Sequence, residues 1–216
     1  MTWSSVAGAL GKGDDLRSAA AHAAFEQLLR RDGVLLSVGG GPTRVHPRLR
    51  NLNILCEGGV DLVGTAYQLP FADGSVDGIH CEAVLEHLEY PDRAVAEMER
   101  VLKPGALVFA ATPFLQPYHA YPDHYQNYTL RGHTRLFERA GFRILDAGAC
   151  VGPTFVLVDL LANYAREFTP GRVLSRALER TLRFLGRALR LPDVRLRHHK
   201  AAEKLCSSTF VLAQKS

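Results

Sequence analysis

Three motifs decide the fold of this chain, namely LLSVGGGPTR at residues 35–44, LPFADGSVDGIHCEAVLEHL at 69–88 and RVLKPG at 100–105. The first is an apolar strand that runs into three glycines, which have no Cβ and therefore allow a tight turn and a close approach of the backbone to a ligand. The second predicts an acidic turn, a buried strand and the start of a helix, and the third predicts a turn. Their order and spacing are typical of one pocket for a nucleotide-like cofactor.

Strand and helix patterns alternate on both sides of these motifs. Apolar positions at helical spacing before Gly33 predict a helix at residues 15–31, and residues 84–102 predict two helices or one helix kinked at Pro91. A further helix is predicted at residues 130–140, before Gly141. The predicted strands cover residues 34–38, 51–56, 60–63, 76–81, 106–112, 142–150 and 208–213. This alternation indicates an α/β fold with a mostly parallel sheet.

The composition suits one globular domain spanning residues 1–216, because 216 residues with 47% hydrophobic and 22% charged side chains can bury one core. No run approaches the roughly 18 apolar residues of a membrane span, and the N-terminal residues have no apolar core typical of a secretion signal. The cysteines are scattered singly, which argues against a disulfide framework or a structural zinc site. We therefore expect a reduced, cytoplasmic setting.

The ligand of such a sheet lies beyond the carboxyl ends of the parallel strands. The loops after Val38, Ile54, Gly64, Cys81 and Thr112 should therefore converge on one site. A P-loop is excluded because the glycines are not followed by the required Lys-Ser/Thr pair. A dinucleotide-binding motif is disfavoured because the third spaced glycine is missing and prolines follow the glycine loop.

The chain resembles the class I S-adenosylmethionine-dependent methyltransferases of the small-molecule and glycan type. The resemblance runs from about residue 34 to residue 112, and LPFADGSVDGIHCEAVLEHL together with EMERVLKPGALVFAATP carries it. It implies a Rossmann-like, mostly parallel sheet with an antiparallel last strand. Residues 153–204 are then a basic helical insertion between the last two strands.

The resemblance also implies which residues hold the cofactor, S-adenosyl-L-methionine. The glycine loop would cradle the methionine portion, the end of the second strand would face the ribose hydroxyls, and the residues after the third strand would flank the adenine. The end of the fourth strand would lie beside the methionine portion and the reacting methyl group. In this order the residues are Gly39, Gly40 and Gly41; Asn53; Thr65 and Ala66; and His80, Cys81 and Glu82.

Two of these positions depart from the family pattern. The ribose position is usually an acid and the adenine position is often Asp, whereas this chain has Asn53 and Thr65. Asparagine offers one carbonyl oxygen and two donors, where a carboxylate accepts both hydroxyl protons. Glu57 would supply the acid if the strand register slipped, although Gly58-Gly59 indicates a turn there.

Three further polar residues near the pocket are interpreted as structural. Asp73 and Asp77 could be taken for a catalytic pair, but the pattern favours a turn at Asp73 and a strand cap at Asp77. His87 lies on a predicted helix whose apolar residues are Val84, Leu85 and Leu88, and it is interpreted as a packed or hydrogen-bonded histidine rather than a catalyst.

The acceptor chemistry is expected in TPFLQPYHAYPDHYQNYT, residues 112–129, which follow the fifth strand. A hydroxyl acceptor must lose its proton as it attacks the methyl group, and histidine suits that task. We predict His119 as the general base, with Asp123 or His124 as orienting group or alternative base. This segment is similar to a Pro-Phe-x-x-x-Tyr-His-x-x-Pro-Asp-x-Tyr-x-x-x-Thr pattern of methyltransferases encoded near polysaccharide genes.

Two alternatives for this segment stay open. In the first, the segment is only a hydrogen-bonded surface lid, and tyrosines such as Tyr121 pack within the protein rather than stack on an acceptor ring. Alternatively, His119, Asp123 and His124 would bind a divalent metal ion, because their side chains are plausible ligands, although the spacing fits no established motif.

A basic helix is predicted near the C-terminus. Residues 170–204 carry a net charge of +7 while the rest of the chain carries −3. Arginines recur on one face from Arg172 to Arg190, and leucines from Leu174 to Leu189 form a second face. In one interpretation, the leucine face packs on the domain and the arginine face is exposed to water. In the other, the arginine face contacts an anionic membrane surface, a lipid-linked substrate or an acidic partner. Nucleic acid is disfavoured because aromatic residues are sparse.

The sequence therefore predicts a methyltransferase that O-methylates a hydroxyl of a small molecule or a sugar or polysaccharide. Two other classes compete with it. One is a non-catalytic cofactor-binding scaffold, motivated by Asn53 and Thr65, and the other is an RNA methyltransferase that would use the arginine face.

Overall fold

The structure is a computed structural model that describes residues 17–120, 123–188, 193, 195–196 and 198–216. Seven strands form one sheet in the order β3-β2-β1-β4-β5-β7-β6. The strands are β1 Leu35–Val38, β2 Leu49–Asn53, β3 Leu62–Val63, β4 Val76–Glu82, β5 Leu102–Pro113, β6 Phe142–Val151 and β7 Ser208–Lys215. The helices are α1 Ala19–Leu29, a 3-10 turn at Leu85–His87, α2 Pro91–Val101, α3 Leu130–Arg139, α4 Pro153–Phe168, α5 Arg172–Ala188 and α6 Ala202–Leu205.

The strand directions confirm the predicted fold. Strands β1 to β5 are parallel neighbours, and β7 lies antiparallel between β5 and β6. The carboxyl ends of β1, β2, β4 and β5 therefore meet at one edge of the sheet. This edge is where a ligand binds in open α/β sheets.

Both faces of the central strands are buried, which explains their nearly continuous apolar runs. Ile79 and Cys81 of β4 point into one core together with Met98 of α2. His80, which lies between them in the strand, points the other way, because successive side chains alternate between the faces of a sheet. On that second face, Phe109 of β5 packs with Phe25 of α1.

Strands β2 and β5 show two of the differences from the sequence prediction. Strand β2 begins at Leu49 and ends at Asn53 rather than covering residues 51–56, and Glu57 lies beyond it, just before a turn. Lys103-Pro104-Gly105 was expected as a turn but belongs to β5. There the pairing jumps from Val76 opposite Leu102 to Gly78 opposite Leu107, so the extra residues form a bulge.

Helices α4, α5 and α6 lie between β6 and β7 in the chain. Among the described residues, no helix is both long enough and apolar enough to cross a bilayer. The first part of the predicted N-terminal helix, Asp15 and Leu16, lies outside the described residues; the described part begins at its N-cap, Ser18.

Candidate active site

The glycine loop after β1 is tied to the next strand by the side chain of Asn51. The amide nitrogen of Asn51 donates to the carbonyl oxygens of Gly41 at 2.9 Å and Gly59 at 3.0 Å. Gly39 and Gly41 adopt φ values of +72° and +66°, which side chains with a Cβ rarely tolerate. A Cβ on Gly40 would lie 2.3 Å from Asn51 Oδ1. Sequence reasoning missed Asn51, whose only signal is a polar residue inside an apolar strand.

The predicted ribose and adenine contacts lie at the carboxyl end of β2 and after β3. Asn53 is buried, and its side-chain oxygen accepts a hydrogen bond from the backbone N–H of Ile54 at 2.7 Å. This bond engages the side-chain oxygen and leaves the amide nitrogen as the donor group of Asn53. Thr65 accepts from the backbone N–H of Tyr67 at 3.3 Å, and Ala66 is buried beside it.

The residues at the end of β4 form a buried polar chain. Ser37 Oγ lies 3.1 Å from His80 Nδ1, and His80 Nε2 lies 3.2 Å from Glu82 Oε2. Arg17 pairs with the same Glu82 oxygen at 2.7 Å. Burial raises the pKa of Glu82, but the Arg17 guanidinium and His80 outweigh that effect and bring the pKa down to about 2. Glu82 is therefore a carboxylate.

His80 and Cys81 are deeply enclosed. The His80 ring stacks on Phe109 with the ring planes 3° apart, and Phe25 packs edge-on against it. Cys81 has no exposed surface, and burial raises the pKa of its thiol far above the usual range. Of the three residues predicted beside the reacting methyl group, Glu82 is the most exposed, with 15% of its side chain accessible.

The segment after β5 is fixed to the 3-10 turn after β4 by several hydrogen bonds. The Tyr125 N–H donates to the Glu86 carbonyl at 2.8 Å. Gln126 Nε2 donates to the carbonyls of Leu85 and Leu88 at 2.9 and 2.7 Å. The described part of the segment is therefore anchored against the site edge rather than lying as a separate lid.

This anchoring brings a cluster of histidines together. The ring centroids of His119 and His124 lie 4.3 Å apart, and those of His87 and His119 lie 5.2 Å apart. His87 was interpreted from the sequence as a packed or hydrogen-bonded histidine, and the structure places it in this cluster. Its Nδ1 lies 2.6 Å from the carbonyl oxygen of Asp123.

The ring nitrogens of His119 and His124 differ in their availability. His119 Nδ1 lies 3.0 Å from the Pro117 carbonyl, so this nitrogen carries the hydrogen and Nε2 keeps a lone pair. His124 accepts from the His119 N–H at Nδ1 and faces Asn127 Oδ1 from Nε2 at 2.7 Å, so both of its nitrogens are engaged. Burial lowers the pKa of His119 and of His87, which favours their neutral forms.

Glu86 completes the cluster and was missed in the sequence. Its side chain is fully buried, and Oε2 accepts from Thr112 Oγ1 at 3.2 Å. Oε1 has no hydrogen-bond partner among the described residues and lies 3.7 Å from His87 Nε2. Burial raises the pKa of Glu86 to about 8. The predicted metal ligands Asp123 and His124 are not in the group whose ligand atoms converge, which consists of Glu86, His87 and His119.

The two aspartates set aside in the sequence have structural roles. Asp77 accepts from the Val34 N–H at 2.9 Å and pairs with Lys103 at 2.7 Å. Asp73 pairs with Arg100.

The basic helix packs in a different orientation from the simpler expectation. Leu174, Leu178 and Leu185 of α5 are exposed, so the leucine face does not pack on the domain. Arg183 turns inward and pairs with Asp159 of α4 and with Glu179, both at 3.1 Å. Arg172, Arg176 and Arg180 are exposed, whereas Arg190 and the side chain of Arg187 lie outside the described residues.

Residues 43–110 match the family described as a methyltransferase domain. An uncharacterized chloroplastic methyltransferase of Arabidopsis thaliana is 52% identical over 48 residues, which are 22% of this chain and 13% of that protein. The matched segments of the curated relatives cover between 13% and 23% of those proteins.

Solved structures share the fold over most of the chain. The [4+2]-cyclase SpnF is 18% identical with a TM-score of 0.57, covering 94% of this chain and 84% of that one. The 1,6-didemethyltoxoflavin-N1-methyltransferase of Burkholderia thailandensis, solved with S-adenosylhomocysteine, is 15% identical with a TM-score of 0.54, covering 92% and 79%. At these identities the likeness concerns the fold alone. Residues 43–110 therefore match a methyltransferase domain, and these solved structures share the fold of the chain.

Proposed function

We propose that the protein transfers the methyl group of S-adenosyl-L-methionine to a hydroxyl of a small molecule or of a sugar or polysaccharide. The observation that carries the proposal is the methyltransferase-domain match at residues 43–110, on a sheet whose glycine loop and polar strand ends share one edge. Gly40, without a Cβ, leaves room for close backbone approach, and Asn53 supplies donors for ribose hydroxyls. The described residues therefore fit the cofactor.

S-adenosylmethionine, when bound, supplies a methyl group on a sulfonium that a nucleophile displaces. The glycine loop and Asn53 would hold the cofactor, which would supply its activated methyl group to the acceptor oxygen. His119 Nε2 takes the hydroxyl proton, since its Nδ1 hydrogen already points to Pro117. His124 holds the His119 backbone in place through the bond to its N–H.

His119→Ala tests this assignment. We expect turnover to fall by about 10² to 10⁴, the usual contribution of a general base, while the affinity for S-adenosylmethionine changes less than about twofold. His198→Ala, which removes an exposed histidine near the C-terminus, is the matched control and should keep full turnover. Unchanged turnover in His119→Ala would place the base elsewhere.

The competing scaffold hypothesis keeps the fold without turnover, and SpnF shows that this fold occurs in a protein described as a cyclase. Calorimetry with S-adenosylmethionine and S-adenosylhomocysteine separates the hypotheses first. Binding of neither compound would refute the methyltransferase proposal. Binding without transfer to any hydroxyl acceptor would favour the scaffold.

We further propose that α4 and α5 contact an anionic lipid surface, where a lipid-linked acceptor would be found. Both helices expose large apolar side chains, and α5 adds three exposed arginines. We define the α4–α5 apolar surface as Leu157, Leu160, Leu161, Tyr164 and Phe168 of α4 with Val173, Leu174, Leu178 and Leu185 of α5. Apolar side chains flanked by basic ones are typical of helices that lie on membranes.

A cytoplasmic location suits the four free cysteines.

A further inference from the structure

We propose that Glu86, His87 and His119 form a binding site for one divalent transition-metal ion of the zinc and iron(II) class. The ligand atoms are Glu86 Oε1, His87 Nε2 and His119 Nε2. One ligand atom from each of the three residues lies within 4.8 Å of one such atom from each of the other two. The 3-10 turn after β4 supplies the first two ligands, and the segment after β5 supplies the third.

The second nitrogen of each histidine is already fixed by a backbone carbonyl. His87 Nδ1 donates to Asp123 O at 2.6 Å, and His119 Nδ1 donates to Pro117 O at 3.0 Å. These bonds set the tautomer in which the hydrogen sits on Nδ1 and the lone pair sits on Nε2. Histidines that bind metals in proteins almost always have this outer hydrogen bond. Both rings are therefore prepared to act as ligands.

Glu86 supplies an independent observation. Its side chain has no exposed surface, and Oε1 lacks a hydrogen-bond partner among the described residues. Leaving a carboxylate oxygen buried and unpaired is costly. A cation between Oε1 and the two Nε2 atoms would compensate the buried charge.

The ligand types select the class of ion. Two imidazoles and one carboxylate suit zinc and iron(II), whereas magnesium and calcium prefer oxygen ligands throughout. Three protein ligands leave at least one coordination position open, as in catalytic rather than structural sites. With an ion bound, the lone pair of His119 Nε2 is used for coordination, so the role of His119 as base proposed above belongs to the ion-free protein, and no proton transfer is assigned to the metal-bound form.

Metal binding is tested on the full chain without cofactor or acceptor, so the result is independent of the proposed function. The purified protein is stripped with a chelator and titrated with Zn²⁺ by calorimetry and with Co²⁺ by visible absorption. We expect one ion per chain and cobalt bands typical of nitrogen and oxygen ligands. His87→Ala and His119→Ala should each weaken binding by at least about tenfold.

Matched controls separate this site from surface binding. Cys56→Ser removes the exposed thiol, and the His198→Ala/His199→Ala pair removes two exposed histidines; both variants should bind as the wild type does. Glu86→Gln should also weaken binding, and if it fails to fold, His119→Ala in the segment after β5 tests the same site. No binding to the wild type, or binding to His87→Ala and His119→Ala that is as tight as binding to the wild type, would overturn the proposal.

Discussion

Among single residues, Asn51 and Gly40 shape the loop that would hold the cofactor. Gly40→Ala would place a methyl group 2.3 Å from Asn51 Oδ1 and 2.9 Å from Ser37 Oγ. We expect it to lower the free energy of unfolding by about 1–3 kcal/mol, the usual cost of overpacking, and to weaken S-adenosylmethionine binding. Chemical denaturation and calorimetry measure the two effects.

The same clash predicts a coupling between the two positions. Asn51→Ala alone should cost about 1–2 kcal/mol, because two carbonyl oxygens lose their donor. In Gly40→Ala/Asn51→Ala the clash with Oδ1 is gone, so the double variant should be more stable than the sum of the single effects predicts. Arg50→Ala, at the exposed neighbouring position in β2, is the control and should show no coupling. Strict additivity of Gly40→Ala and Asn51→Ala would contradict this view of the loop.

At the level of the elements, α3 is held on the sheet by a buried histidine. His133 Nδ1 lies 3.1 Å from Thr209 Oγ1 of β7, and Phe137 packs edge-on against the ring. Burial lowers the pKa of His133 to about 3, so folding keeps it neutral. Because the unfolded chain binds a proton near pH 6.5, this contribution to stability is present above that pH and is lost as the pH falls towards 3.

His133→Leu tests this contribution. Between pH 7 and pH 5 the His133 effect should remove about 2 kcal/mol of unfolding free energy from the wild type, at about 1.4 kcal/mol per pH unit below 6.5. The variant should lose this part of the pH dependence, whatever its stability at pH 7. Urea unfolding of both proteins at several pH values measures the difference. If the unfolding free energies of the two proteins changed with pH in the same way, His133 would not titrate as its burial requires.

Across the whole molecule, the exposed arginines of α5 and the α4–α5 apolar surface predict binding to anionic vesicles. Neutralising Arg172, Arg176 and Arg180 to Gln should weaken binding to phosphatidylserine-containing vesicles by about 100-fold at low salt, at about 1 kcal/mol for each charge. The wild type and the triple variant should both bind only weakly to phosphatidylcholine vesicles. Vesicle sedimentation measures the partition.

The matched control removes the same charge from another helix. Arg131, Arg135 and Arg139 of α3 are also exposed, and their change to Gln should leave vesicle binding nearly unchanged. If the two triple variants lost vesicle binding to the same extent, the binding would depend on net charge alone. Phe168→Ser in the apolar surface should weaken the binding that persists at high salt.

The fold itself followed from local signals. Apolar strands ending in glycine or polar residues, alternating with helices, predicted the sheet, because strands buried on both faces require such runs. The boundary of β2 and the bulge at Lys103-Pro104-Gly105 were missed, since pairing with neighbouring strands fixes them. The segment around His119 was recognised by its residue types alone.

Local periodicity and short motifs predicted the α/β sheet, the match of residues 43–110 to a methyltransferase domain and the two faces of the basic helix. Tertiary structure decided which side chains meet and which face packs. Glu86 and His87 reach His119 only because hydrogen bonds fold the segment after β5 onto the 3-10 turn. Gly186 of α5 approaches Val158 of α4 so closely that a Cβ would lie 2.4 Å from its side chain, which turns the leucines outward. Such contacts depend on shape across distant segments, which periodicity does not encode.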